Sequence, residues 1–160
     1  ESLEIFASIP FGAVTSTDSH ISSDLPRPED LTNLIGAVSD ELEDITRDHP
    51  IVSTPMRTVG VAGTIVTIAA VELGLHEFDD AALHTMTLSR DAVEDVFRTM
   101  ATEPLALRVQ NPGLGPDRAD IIVAGCCILV ATMRRLHLSE ITVSTRGLLD
   151  GVAHRVRLNS

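Results

Sequence analysis

The sequence predicts an α/β domain containing at least one parallel strand pair. Three observations carry this. Short β-branched runs alternate with longer helical runs through the second half of the chain. One strand-like run, Arg57-Thr58-Val59-Gly60-Val61-Ala62-Gly63, ends in glycine and passes directly into a helix of small residues. The chain has 160 residues, 44% of them apolar, enough for one domain with a core and too few for a second full domain. Residues 1–160 are therefore expected to form one domain.

The elements follow in order. Leu3, Ile5, Ala7, Ile9 and Phe11 alternate with other residues, a period of two that predicts a half-buried strand, extended as far as Val14 after a bend at Gly12-Ala13. Pro10 removes a donor, which places that strand at a sheet edge or makes it irregular there. Pro28 suits the first position of a helix and Glu29 and Asp30 its N-terminal turn. Leu31, Leu34, Ile35, Val38, Leu42 and Ile45 then mark its apolar face, with Asp40, Glu41, Glu43 and Asp44 mainly on the solvated side. Arg57–Gly63 is a short buried strand, and Thr64–Leu73 a helix closed by Gly74. A further helix is predicted from Thr87 as N-cap to Met100, and Gly113-Leu114-Gly115-Pro116 reads as a turn. Residues 116–136 predict a nearly all-apolar central helix with a polar start at Asp117, Arg118 and Asp120. Ile141–Ser144 closes the set as a strand, and Arg146–Val152 begins a last helix.

Composition narrows the function. The net charge is −11, which repels nucleic-acid phosphates, and aromatic residues make up only 2%, so stacking platforms for single strands are scarce. Nucleic-acid binding is not expected. All twelve basic residues are arginine; this reflects either nucleotide composition or the suitability of a planar fork for phosphate oxygens. Cys126 and Cys127 are adjacent in an apolar run, point in different directions on a helix, and read as buried thiols of a reducing compartment. No signal peptide is visible, and Ile121–Ala131 falls short of the about 20 residues that span a bilayer. The expectation is a soluble, cytoplasmic protein without membrane contact.

Three polar junctions could carry chemistry. The first is Gly60-Val61-Ala62-Gly63-Thr64, where glycines admit a ligand to the backbone and a helix N-terminus offers free N–H groups. It is neither a dinucleotide fingerprint nor a P-loop, and taken alone it reads first as a turn with tight strand–helix packing. The second is Arg118, a cation that opposes the helix dipole; it either pairs with Asp117 or Asp120 or reaches into a cleft for phosphate. The third is Ser144-Thr145-Arg146-Gly147, beyond the carboxyl end of the last strand, where open α/β sheets place ligands. The six histidines have no metal-ligand spacing, and there is no serine-nucleophile elbow, cysteine–histidine pair or calcium loop. No catalytic residue and no metal site is predicted within the chain.

Taken in order, these segments resemble the C-terminal half of the Ppx/GppA phosphatase core. The resemblance rests on Ile9–Val14, on Val59-Gly60-Val61-Ala62-Gly63-Thr64-Ile65-Val66-Thr67-Ile68-Ala69-Ala70, on Leu114-Gly115-Pro116-Asp117-Arg118-Ala119-Asp120-Ile121-Ile122-Val123-Ala124-Gly125, and on Val143-Ser144-Thr145-Arg146-Gly147-Leu148-Leu149-Asp150-Gly151. It covers nearly the whole chain. Thr15-Ser16 stands where relatives carry a more basic and apolar pair, Ile65-Val66 replaces small or hydroxyl residues, and Asp150 replaces a glutamate.

The resemblance implies an actin-like ATPase (ribonuclease H-like) fold, a mixed sheet flanked by helices, forming the second half of a two-domain phosphatase. The catalytic glutamate, the Mg²⁺ ligands and the phosphate loops would lie in a preceding domain absent from this chain. It implies release of terminal phosphate from inorganic polyphosphate by in-line attack of water, with guanosine pentaphosphate hydrolysis as the variant. The chain alone would be inactive and would supply a phosphate-binding wall through Gly60, Gly63, Thr64, Arg118, Ser144 and Arg146. The alternative is a non-catalytic module that binds a phosphate-rich ligand or forms a homodimer.

Overall fold

In a computed structural model, residues 5–54, 57–147, 150, 151 and 153–155 are described. Leu3, Leu148, Leu149 and Val152, which belong to the first and last expected elements, lie outside them.

The centre of the fold is α7 (Ile122–Arg135), buried along most of its length. Its apolar run from Ile122 to Ala131 has a simple cause: two faces of the helix are covered. Ala124, Cys127 and Ala131 meet Leu34, Val38 and Leu42 of α2 (Pro28–Asp48). Val123, Cys126, Val130 and Met133 meet the other layer. That layer contains α3 (Gly63–Glu72), α5 (Arg90–Thr102) and a small sheet. Adjacent cysteines thus serve opposite layers. Both thiols are free and buried, and burial pushes the Cys127 pKa up to about 12.

The sheet has three strands in the order β1–β3–β2, with β1 Val59–Gly60, β2 Thr87–Ser89 and β3 Glu140–Val143. β1 and β3 are parallel, in register Gly60 with Val143, and β2 runs antiparallel to β3. The expected parallel pair is present, and the sheet is mixed. The expected helix from Pro28, the helix before Gly74, the Gly113–Pro116 turn and the Ile141 strand are also present.

Four expectations are corrected. The alternating N-terminal segment forms no strand over residues 5–12; Ile9 and Phe11 pack on the α2–α7 layer without a ladder partner. Val14 lies in a helix, α1 (Ala13–His20), whose Ser16 N–H donates to the Gly12 carbonyl. Arg57–Gly63 reduces to two strand residues at the sheet edge, with Val59 half exposed. Thr87 is no N-cap: it begins β2, and Ser89 caps α5 by accepting from the Ala92 N–H at 3.2 Å. The α7 helix begins at Ile122, because residues 116–121 are taken up by successive turns.

Ser16 exposes a sequence departure physically. It is 1% accessible on α1, and its hydroxyl has no hydrogen-bond partner among the described residues. An unsatisfied buried hydroxyl carries its desolvation cost without return. Ser16→Ala in the whole protein is expected to raise stability by about 1 kcal/mol, seen as a higher urea midpoint; an unchanged or lowered midpoint would show that the hydroxyl is satisfied.

Candidate functional site

The parallel pair sets the site. β1 and β3 end on the same side of the sheet, so the chain that follows each strand emerges at one edge. After β1 the backbone turns at Ala62, with φ 75° and ψ 173°, and enters α3. This region is nearly reserved for glycine, and alanine held there stores strain of about 1–3 kcal/mol. No side chain among the described residues caps α3. Its first intrahelical bond runs from the Val66 N–H to the Ala62 carbonyl, leaving the amides of residues 63–65 without an intrahelical acceptor.

Arg118 meets this terminus from the opposite side. A Cβ placed on Gly63 would lie 2.6 Å from Arg118 Nη2 and 2.8 Å from Cζ and Nη1, so the guanidinium rests directly on the glycine. Neither alternative partner named by the sequence takes it. Arg118 makes no side-chain hydrogen bond or ion pair among the described residues, and the Asp117 carboxylate folds back toward Gly115 instead. A cation left unpaired beside uncapped helix amides is an arrangement that can hold an anion.

The remaining expected residues divide. Thr64 packs its side chain on Gly125 of α7: a Cβ on Gly125 would come within 2.6 Å of Thr64 Cγ2 and 3.3 Å of Oγ1. Gly60 makes room for Ile65 and Ile141, whose side chains would lie 2.9 and 3.0 Å from an added Cβ. Its carbonyl accepts the Ser144 N–H at 2.8 Å, which ties the two strand ends together. The Ser144 hydroxyl closes a local turn, accepting from the Arg146 N–H and donating to its carbonyl, both at 3.1 Å. Arg146 pairs with Asp80 at 2.7 Å. Gly63 and Arg118 are thus brought into contact, while Gly60, Thr64, Ser144 and Arg146 frame the edge and spend their groups on the protein.

Sequence reasoning missed two sets of groups. Asp80 begins α4 (Asp80–Leu83) and accepts from Thr145 Oγ1 at 2.6 Å as well as from Arg146. The Thr145 bond, more than Arg146, holds its carboxyl below the usual aspartate range. His84 Nδ1 lies 3.3 Å from the same hydroxyl. Arg108, at the end of α6 (Leu105–Arg108), is buried against four carbonyls, one of them Ala119. Nothing in residue spacing marks either set, because the partners of Asp80 lie 65 and 66 positions away and those of Arg108 are main-chain carbonyls, which no residue type signals. Among the described residues no group of three or more His, Cys, Asp or Glu side chains could hold a metal.

A family model described as the Ppx/GppA phosphatase family matches residues 1–159. Exopolyphosphatase 2 of Mycobacterium tuberculosis is 27% identical over 150 residues, covering 91% of this chain and 47% of that protein. A crystal structure of the Aquifex aeolicus Ppx/GppA family member superposes with a TM-score of 0.85 at 27% identity, covering 96% of this chain and 48% of the other. Its type II variant superposes with a TM-score of 0.82 at 28% identity. An exopolyphosphatase from Cytophaga hutchinsonii, 21% identical with a TM-score of 0.79, shares the fold. This fold is actin-like, and the chain spans about half the length of the relatives it matches.

Proposed function

The chain belongs to the Ppx/GppA phosphatase family, and from that membership we propose that it forms one wall of a cleft in which terminal phosphate is released from inorganic polyphosphate. The observation that carries this is the unpaired Arg118 guanidinium seated on Gly63 at the uncapped start of α3. Polyphosphate is favoured over a guanosine nucleotide as substrate by the exopolyphosphatases among the relatives.

In this reading Arg118 donates its fork to non-bridging oxygens of the chain end, and the amides of residues 63–65 add donors on a neighbouring oxygen. These groups hold and orient the anhydride and offset charge that develops as the terminal phosphoryl group passes to water. A divalent metal would neutralise phosphate charge when bound. Among the described residues no cluster of His, Cys, Asp or Glu suits it, and in this reading its ligands come from the part of the protein outside this chain. The acidic surface, with a net charge of −11, makes this local positive edge the part of the chain suited to a polyanion.

The reading is tested by following phosphate release from polyphosphate with Mg²⁺ present. Turnover is expected from the whole protein and none from residues 1–160 alone. Robust hydrolysis by the shorter chain would place the catalytic base within it and overturn the proposal; so would an inert whole protein.

A further inference from the structure

Arg108 has 2% of its surface accessible, the least of any charged residue among those described. A buried guanidinium is expected to sit against a carboxylate, yet here its partners are main-chain carbonyls. Nε donates to Met100 at 3.0 Å, Nη1 to Ala119 at 2.9 Å, and Nη2 to Glu103 at 2.8 Å and Asp24 at 3.1 Å. These carbonyls come from three separate stretches: the end of α5, the loop ahead of α2, and the turns ahead of α7. Asp24 completes the knot by accepting the Leu105 N–H at 2.8 Å, at the start of the helix that carries Arg108. Lysine could not replace this set, since a single ammonium lacks the five donors of a planar fork.

The bond to Ala119 concerns the site. Residues 116–121 are not part of a helix, so few bonds fix where Arg118 stands. Its own N–H donates to Gly115, and its carbonyl accepts from Ile121 and Ile122. The Ala119 carbonyl is turned the other way, into the protein, onto Arg108, and Ala119 is fully buried. Resting on the reading of Arg118 as a phosphate ligand, we infer that Arg108 is a positioning residue for substrate binding: it clamps the Ala119 carbonyl and so holds the adjacent Arg118 guanidinium against Gly63. Arg108 itself touches no substrate in this arrangement. It removes the freedom that an unpaired side chain on a turn would otherwise have, and binding then costs less ordering.

A double-mutant cycle in the whole protein separates this role from simple stabilisation. In the wild-type background, Arg108→Lys is expected to lower kcat/KM for polyphosphate about tenfold, with the loss in KM. In an Arg118→Ala background the same change is expected to alter kcat/KM less than about twofold, because the group being positioned is gone. The fall in urea midpoint should be equal in both backgrounds. Equal kinetic losses in both, or lost stability with unchanged kinetics, would overturn the inference. Wild-type kinetics for Arg118→Ala alone would remove the reading of Arg118, and the inference with it; a large loss there with an additive cycle removes only the inference. Should Arg108→Lys fail to fold, Ala119→Gly loosens the same segment without burying a mismatched charge. It is expected to give the same KM increase and the same loss of effect without Arg118, and a wild-type KM would count against the clamp.

Discussion

Replacing Arg118 with alanine in the whole protein is expected to lower kcat/KM for polyphosphate about 100-fold while leaving the fold intact. The two halves of that statement have separate grounds. The Arg118 side chain makes no hydrogen bond or ion pair among the described residues, so its loss should shift stability by no more than about 0.5 kcal/mol. A charge-assisted contact to a transferring phosphate is worth far more than that when water is excluded. Arg118→Lys should recover part of the loss, because a point charge remains and the fork does not. The reciprocal change is Gly63→Ala. The atoms nearest its new Cβ would be the far end of the Arg118 side chain, which can swing away, so the protein should stay folded while kcat/KM falls about tenfold. Steady-state kinetics with urea unfolding on each variant checks both. Wild-type kcat/KM for Arg118→Ala would remove the assignment of this residue to phosphate.

The contrast between Arg118 and Arg146 shows what the sequence could and could not convey. The family resemblance assigns both to phosphate, Arg118 as a cation at the start of a helix and Arg146 as a residue beyond the carboxyl end of the last strand. Arg146 meets Asp80, which lies on another element 66 positions away in sequence, at 2.7 Å, and Arg118 meets Gly63 and no acid. The parallel pair, the helix from Pro28 and the apolar α7 were legible because periodicity, proline and hydrophobic runs report burial directly. The N-terminal strand was misread for a physical reason. Alternation reports which side chains are covered, and Ile9 and Phe11 are indeed packed, but it does not report whether a neighbouring strand exists to take the backbone bonds. β2 was hidden by brevity, since three residues directly ahead of a helix carry less than two periods of alternation. The delayed start of α7 has a tertiary cause: the Ala119 carbonyl is engaged by a buried arginine eleven residues earlier. No local propensity encodes that.

The largest stability effect is expected at Gly113, with Gly113→Ala losing about 3 kcal/mol or more. Two terms act together. Gly113 has φ +83°, where an added Cβ meets its own backbone and costs about 1–2 kcal/mol. The same Cβ would also lie 2.3 Å from Ala70 C, 2.4 Å from Ala70 O and 2.5 Å from Val71 N. These are main-chain atoms inside α3 and cannot rotate aside, so the turn must lift off the helix. That turn leads through Gly115 and Pro116 to Arg118, and α3 carries Gly63 at its start. Lifting one from the other therefore separates the two halves of the candidate site as well as unpacking Leu114 from the core. Activity should fall with the urea midpoint, unlike the Arg118 variant, in which activity falls alone. Gly36→Ala is the internal control: it lies in α2 with nothing within 4 Å of an added Cβ, and it should gain about 0.5–1 kcal/mol from helix propensity. A Gly113→Ala midpoint equal to wild type would mean that the turn does not rest on α3 in this way, and the route by which Arg118 reaches Gly63 would have to be redrawn.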